Sequence, residues 1–250
     1  MNESSNGKKV FFLYPQSVIQ DELIAFLLRN EYEVYFLNDH LKASRIFKRF
    51  SNSICFINID NGLKEPEWEQ YIKGLRSDPE IKGLQIGILS YNNNPVLMQK
   101  YLMDIAVECG FVQLKLGIKQ STDIILKVLE ANEAKGRRKF VRADCTKDSR
   151  AVLNFSYKDS FFEGKILDIS SVGLACEFNQ TIPIDNKTIL HKIQLNLRGS
   201  LIQVDGLILS RRFDNERILV IVFNPRPKEK ELDKIHIFIH KTLQKNIDIY

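Results

Sequence analysis

Arg137-Arg138-Lys139-Phe140-Val141-Arg142 is the stretch at which the chain changes character. Before it, short apolar runs alternate with segments of helical spacing; after it, apolar residues recur at every second position. A period that switches from 3.6 to 2 marks two domains of different class. The stretch itself carries three guanidiniums just after Gly136. They cannot be buried cheaply, and each presents a planar fork that fits phosphate oxygens or a guanine edge. An anionic, purine-bearing ligand is the reading they favour.

Working back from the arginines, strands are expected at 9–14, 33–37, 54–59, 84–89 and 111–116. A helical stripe follows each, such as Leu41, Ile46, Phe47 and Phe50 after the second. Ser17 with Gln20 reads as a capping box opening the first helix, and Asn94-Pro95 as the start of the fourth. Five βα units of this length predict a parallel sheet with helices on both faces, over residues 1–134.

Working forward, six short alternating strands are expected at 151–158, 161–169, 174–178, 189–197, 201–210 and 217–223, broken by turn residues such as Arg198-Gly199-Ser200. Six antiparallel strands with one apolar face close most economically into a barrel, which removes exposed edges. Pro225 and Pro227 end the last strand. Residues 228–246 then read as a helix whose Leu232, Ile235, Phe238, Ile239, Thr242 and Leu243 stripe packs on the barrel or forms a dimer seam. The second domain is thus 135–250, and the fold class α/β plus all-β.

At the end of the second alternating run stands Asp168-Ile169-Ser170-Ser171-Val172-Gly173. An acid, a hydroxyl and a glycine in this spacing supply an acceptor for a base N–H, a donor for a phosphate, and a tight turn. Alone, neither this stretch nor the arginines is specific. Together, in this order and ahead of a small all-β stretch, they resemble the PilZ family, whose members bind cyclic di-GMP. Arg138 and Arg142 match its RxxxR motif, and Asp168, Ser170 and Gly173 match its [D/N]xSxxG motif. The resemblance covers residues 136–223. It implies that the arginine segment wraps over the ligand while the second motif holds it from the barrel. Arg137, directly before RxxxR, goes in that family with two intercalated ligands per protomer.

The first domain resembles the receiver domain of two-component regulators. Asp60 stands near the phosphoacceptor position, with Ser90 after the fourth strand and Lys115 late in the fifth. The acidic pair that holds Mg²⁺ in receivers is replaced by Tyr14, Pro15 and Gln16. Without those hard oxygen ligands phosphoryl transfer loses its main electrostatic stabiliser. The expectation is a receiver-like domain that is not phosphorylated; Asp60-Asn61-Gly62 also reads simply as a turn.

Composition agrees with a two-domain binding protein. Of 36 Lys and Arg, 21 fall from Lys135 onward, against 14 of 31 Asp and Glu, so positive charge gathers in the half with the ligand motifs. No stretch has the apolar length of a membrane span or signal peptide, so a cytoplasmic protein away from membranes is expected. Cys55, Cys109, Cys145 and Cys176 are scattered and read as small core residues. His236 and His240 lie four apart without a third ligand, so no metal is expected. No nucleophile with a base and no phosphate-binding glycine loop appears, so catalysis and a resident cofactor are not expected.

These readings converge on a cytoplasmic cyclic di-GMP receptor, monomer or homodimer. It would act on a downstream protein not named by the sequence, with motility or surface behaviour implied by the resemblance. Nucleic acid is not an expected partner. The rival readings are a phosphorylation-dependent response regulator, a nucleic-acid binder supported only by the basic half, and a PilZ scaffold that binds protein without nucleotide.

Overall fold

The computed structural model describes residues 7–136 and 138–249, without the side chains of residues 17–21, 24 and 118. The chain packs as two compact units. One runs up to Lys139 and takes in residues from Gln244 onward; the other is Phe140–Leu243.

The first unit alternates β1 (Lys9–Leu13), α1 (Ser17–Arg29), β2 (Val34–Leu37), α2 (His40–Arg49), β3 (Ser53–Asn58), α3 (Glu65–Ser77), β4 (Gln85–Ser90), α4 (Pro95–Gln99), β5 (Phe111–Gln113) and α5 (Ile118–Ala131). All strand pairings are parallel, in the order β2-β1-β3-β4-β5. Period-2 alternation divides the central strands between two faces. Val10, Phe12, Ile54 and Phe56 share a buried cluster with Leu27 of α1 and Leu129 of α5. Their neighbour Phe11 instead meets Phe47 of α2, edge to face at 5.5 Å. Apolar runs such as Val10-Phe11-Phe12-Leu13 are therefore buried on both sides, as parallel strands require.

Three local expectations need correction. α1 begins at Ser17 itself with Gln16 at the N-cap, so Ser17 is the first helical residue and not the cap; the side chains of Ser17 and Gln20 lie outside the description. The expected strand at 111–116 stops at Gln113 and tightens into a 3-10 turn over Leu114–Leu116. α4 opens as read, with the Asn94 side chain accepting the Val96 N–H, but continues as a π-helical turn over Lys100–Asp104.

In the second unit, β7 (Ala151–Tyr157), β8 (Ser160–Ser170), β9 (Gly173–Phe178), β10 (Ile189–Leu197), β11 (Ser200–Arg211) and β12 (Ile218–Phe223) follow the predicted runs. Their order β8-β7-β10-β11-β12-β9 closes through β8–β9 pairing into a six-stranded antiparallel barrel. A three-residue strand, β6 (Arg142–Asp144), adds to the outside of β8. Period alone could not announce so short an element. The final helix α6 (Glu229–Asp248) lays Ile235, Phe238, Ile239 and Leu243 on the barrel core, which accounts for its apolar stripe. All four cysteines are buried free thiols, with burial pushing Cys109 and Cys145 up to about 12.

Candidate functional site

The barrel site is built from two register features. β8 pairs with β9 from Gly164 to Ile166, slips by a bulge, and resumes at Asp168 opposite Ala175. Strict alternation would have put Asp168 on the same face as Ile166, inside the barrel. The bulge at Leu167 reverses the phase, so Ile169 enters the core while Asp168 turns out of it. On the other side of β8, antiparallel pairing with β6 sets Arg142 across from Ser170. The Leu167 carbonyl accepts the Cys145 N–H at 2.7 Å, continuing that pairing.

This register brings the two predicted motifs together. A guanidinium nitrogen of Arg142 lies 3.3 Å from one Asp168 carboxylate oxygen. A second arginine, Arg212, approaches the other oxygen at 3.7 Å. Sequence reading passed over Arg212, which belongs to no motif and sits just beyond β11. Both arginines remain about half exposed, with side-chain exposures of 54% and 45%. Exposed pairs of this kind are worth only about 0 to 1 kcal/mol. The cluster is thus a weakly committed set of charges on an open edge.

Ser170 and Gly173 close the β8–β9 hairpin as its last paired residues. The Ser170 hydroxyl is buried and donates its hydrogen to the Gly173 carbonyl at 3.1 Å. Gly173 owes its identity to β12: a Cβ there would stand 2.3 Å from the Ile221 carbonyl oxygen. Its φ does not lie in the positive range, so close strand approach rather than turn geometry demands glycine. Arg138 is exposed and falls in the first unit. Arg137 lies outside the described residues.

In the first unit, the C-terminal ends of β1 and β3 flank the point where the strand order reverses, the usual ligand crevice of an open parallel sheet. Here the chain's own side chains fill it. Tyr14 takes a positive φ of 53° and is held by the Asn58 amide, which donates to its carbonyl at 3.0 Å. Its ring meets Trp68 at 5.8 Å and its hydroxyl bonds the His40 ring at 3.1 Å. A Cβ on Gly62 would stand 2.6 Å from that ring, so glycine makes room for the plug. Burial pushes the Tyr71 phenol, which donates to the His40 carbonyl at 2.8 Å, well above its ordinary range.

Asp60 and Ser90 do meet, with the hydroxyl donating to the carboxylate at 2.6 Å. The Tyr91 N–H takes the other oxygen at 2.7 Å. Lys115 instead donates to the Asn93 side chain at 3.3 Å. Among the described residues, no group of three or more His, Cys, Asp or Glu is arranged to hold a metal ion, and no helix is long and apolar enough to cross a membrane.

No protein-family model and no curated protein matches the chain. Solved structures do. The PilZ domain of YcgR from Escherichia coli, determined with c-di-GMP, aligns with 45% of this chain and 96% of its own at 13% identity and a TM-score of 0.39. The MrkH–c-di-GMP complex from K. pneumonia aligns with 46% of this chain and 55% of its own at 20% identity and 0.34. The signal receiver domain of an HD domain-containing protein from Pseudomonas fluorescens Pf-5 aligns with 53% of this chain and 93% of its own at 11% identity and 0.42. Of the longer YcgR chain this one spans 50%. The solved structures to which it is similar thus include a PilZ domain and a signal receiver domain.

Proposed function

We propose that the protein is a cyclic di-GMP receptor whose barrel edge takes the dinucleotide. The observation that carries this reading is the β6–β8 register, which puts Arg142 across from Ser170 with its guanidinium 3.3 Å from Asp168. Two sequence motifs far apart in the chain thereby meet at one place. In the proposed complex Asp168 accepts the N1 and N2 hydrogens of a guanine, which frees Arg142 for a phosphate or a guanine edge. Ser170 turns its hydroxyl from the Gly173 carbonyl to a phosphate oxygen. Arg138, four residues before Arg142, closes over the ligand from the segment that leads into the barrel. Arg137 serves a second, stacked ligand, giving about two per protomer.

The proposal extends to the whole chain. Residues 1–134 form a receiver-like domain that is not phosphorylated, since Asp60 is spent on Ser90 and Tyr91 and the crevice holds an aromatic plug. Residues 135–250 form the PilZ domain. The protein works as a cytoplasmic receptor without catalysis: ordering of the arginine segment on the ligand changes the arrangement of the two domains and is read by a downstream protein, in control of motility or surface behaviour.

Calorimetric titration with cyclic di-GMP tests the reading. Wild type binds, whereas Arg138→Ala and Arg142→Ala each lose about 2 to 5 kcal/mol of binding free energy with the fold intact. Wild-type affinity in either variant removes that residue from the site, and failure of wild type to bind removes the function.

A further inference from the structure

The turn between β11 and β12 contributes two groups that neither sequence motif contains. Arg212 reaches the Asp168 carboxylate from the side opposite Arg142 in the oxygen it approaches, Oδ2 against Oδ1. The next residue, Phe213, is fully exposed, at 106% of the reference accessibility. The turn beneath them is held. The Arg212 N–H donates to the Ile218 carbonyl and the Ile218 N–H to that of Asn215, both at 3.0 Å. The Asn215 amide and the Arg217 guanidinium both bond Glu177 on β9, at 3.0 and 3.1 Å. A cation that reaches the candidate site and an exposed aromatic residue are thus consecutive on an anchored turn.

We infer that Arg212 and Phe213 are a further part of the binding site for a cyclic purine dinucleotide, Arg212 pairing with phosphate and Phe213 stacking on a base. This rests on the receptor reading above and deepens it. Charge supports it: Arg138 and Arg142 less Asp168 leave one net positive charge for a ligand with two phosphates, and Arg212 raises it to two. When Asp168 turns to a guanine edge, Arg212 is released together with Arg142, so the same carboxylate that reads the base also sets free two cations for the phosphates. The exposed ring has the chemistry the other half of the ligand requires. Every base has a π face, and an aromatic side chain left in water gains by covering it.

The test uses the full chain, titrated with cyclic di-GMP at several salt concentrations. Arg212→Ala should weaken binding about tenfold or more and lower the slope of log affinity against log salt, because one phosphate contact is gone. Phe213→Ala should weaken binding about fivefold or more with the salt slope unchanged, and Phe213→Trp should restore it. Arg226→Ala, which removes an exposed charge from the segment between β12 and α6, is the control for general electrostatics and should leave affinity within about twofold of wild type. Since both positions are exposed, melting temperatures should not move. Wild-type affinity in both Arg212→Ala and Phe213→Ala, with wild type itself binding, overturns this inference and leaves the receptor reading standing. An Arg226→Ala loss equal to that of Arg212→Ala overturns the contact assigned to Arg212. If wild type does not bind, both fall.

Discussion

The two units treat the ends of their sheets in opposite ways. At the reversal point of the parallel sheet, Tyr14, His40, Trp68 and Tyr71 pack ring against ring, with centroids 5.5 to 6.3 Å apart, and their polar atoms are largely satisfied from within. Trp68 is fully buried and still places its indole N–H on the Asn61 carbonyl at 3.0 Å. At the edge of the barrel, Arg142, Asp168 and Arg212 are held by contacts of 3.3 and 3.7 Å and stay open to water. A crevice filled with aromatics packed around the buried Trp68 has converted a place for a ligand into stability. An edge of exposed charges has kept its interaction energy in reserve for a partner that brings opposite charge.

The sharpest way to break the contrast is to empty the plug. Trp68→Ala removes a fully buried ring and a hydrogen bond, so it should destabilise the first unit by about 3 to 5 kcal/mol, as read by chemical denaturation. A loss under 1 kcal/mol would mean that the aromatic cluster is not structural. Next in size is Gly173→Ala. Its Cβ would meet the Ile221 carbonyl at 2.3 Å, and the strands must part, at about 1 to 3 kcal/mol of barrel stability. An unchanged melting point would return the glycine requirement to the ligand.

Asp168→Ala should barely alter stability, yet discrimination between cyclic di-GMP and cyclic di-AMP should fall by about 1 to 3 kcal/mol, because the guanine donors lose their acceptor. Competition titrations read this directly, and undiminished preference would show that another group reads the base. The smallest effect is expected from Asp60→Asn. Treatment of wild type with acetyl phosphate and Mg²⁺ should add no mass to the protein, so the substitution should change nothing. A phosphate increment lost in the variant would make the first unit a working receiver.

Much of this was legible from residue order alone, because long apolar periods are robust. The five βα units follow from runs such as Val10 to Leu13, and the six barrel strands from alternation. The pairing of Arg142 with Asp168 was legible only as two motifs, whose meeting depends on the three-residue β6 and on a bulge at Leu167. Neither leaves a trace in periodicity. The spacing presents Ser170 as a phosphate donor, and only the strand register shows the Gly173 carbonyl taking its hydrogen. Arg212 was invisible for a plainer reason: nothing in its neighbourhood distinguishes it from any other turn arginine until strand order brings it to Asp168.

Hydrogen exchange across the whole chain, with and without saturating cyclic di-GMP, tests the central contrast most directly. Slower exchange is expected over residues 138–144, 167–173 and 211–214, with no change around Tyr14, Asn58 and Gly62. Protection centred on the plugged crevice of the first unit, or none along the barrel edge, would contradict it.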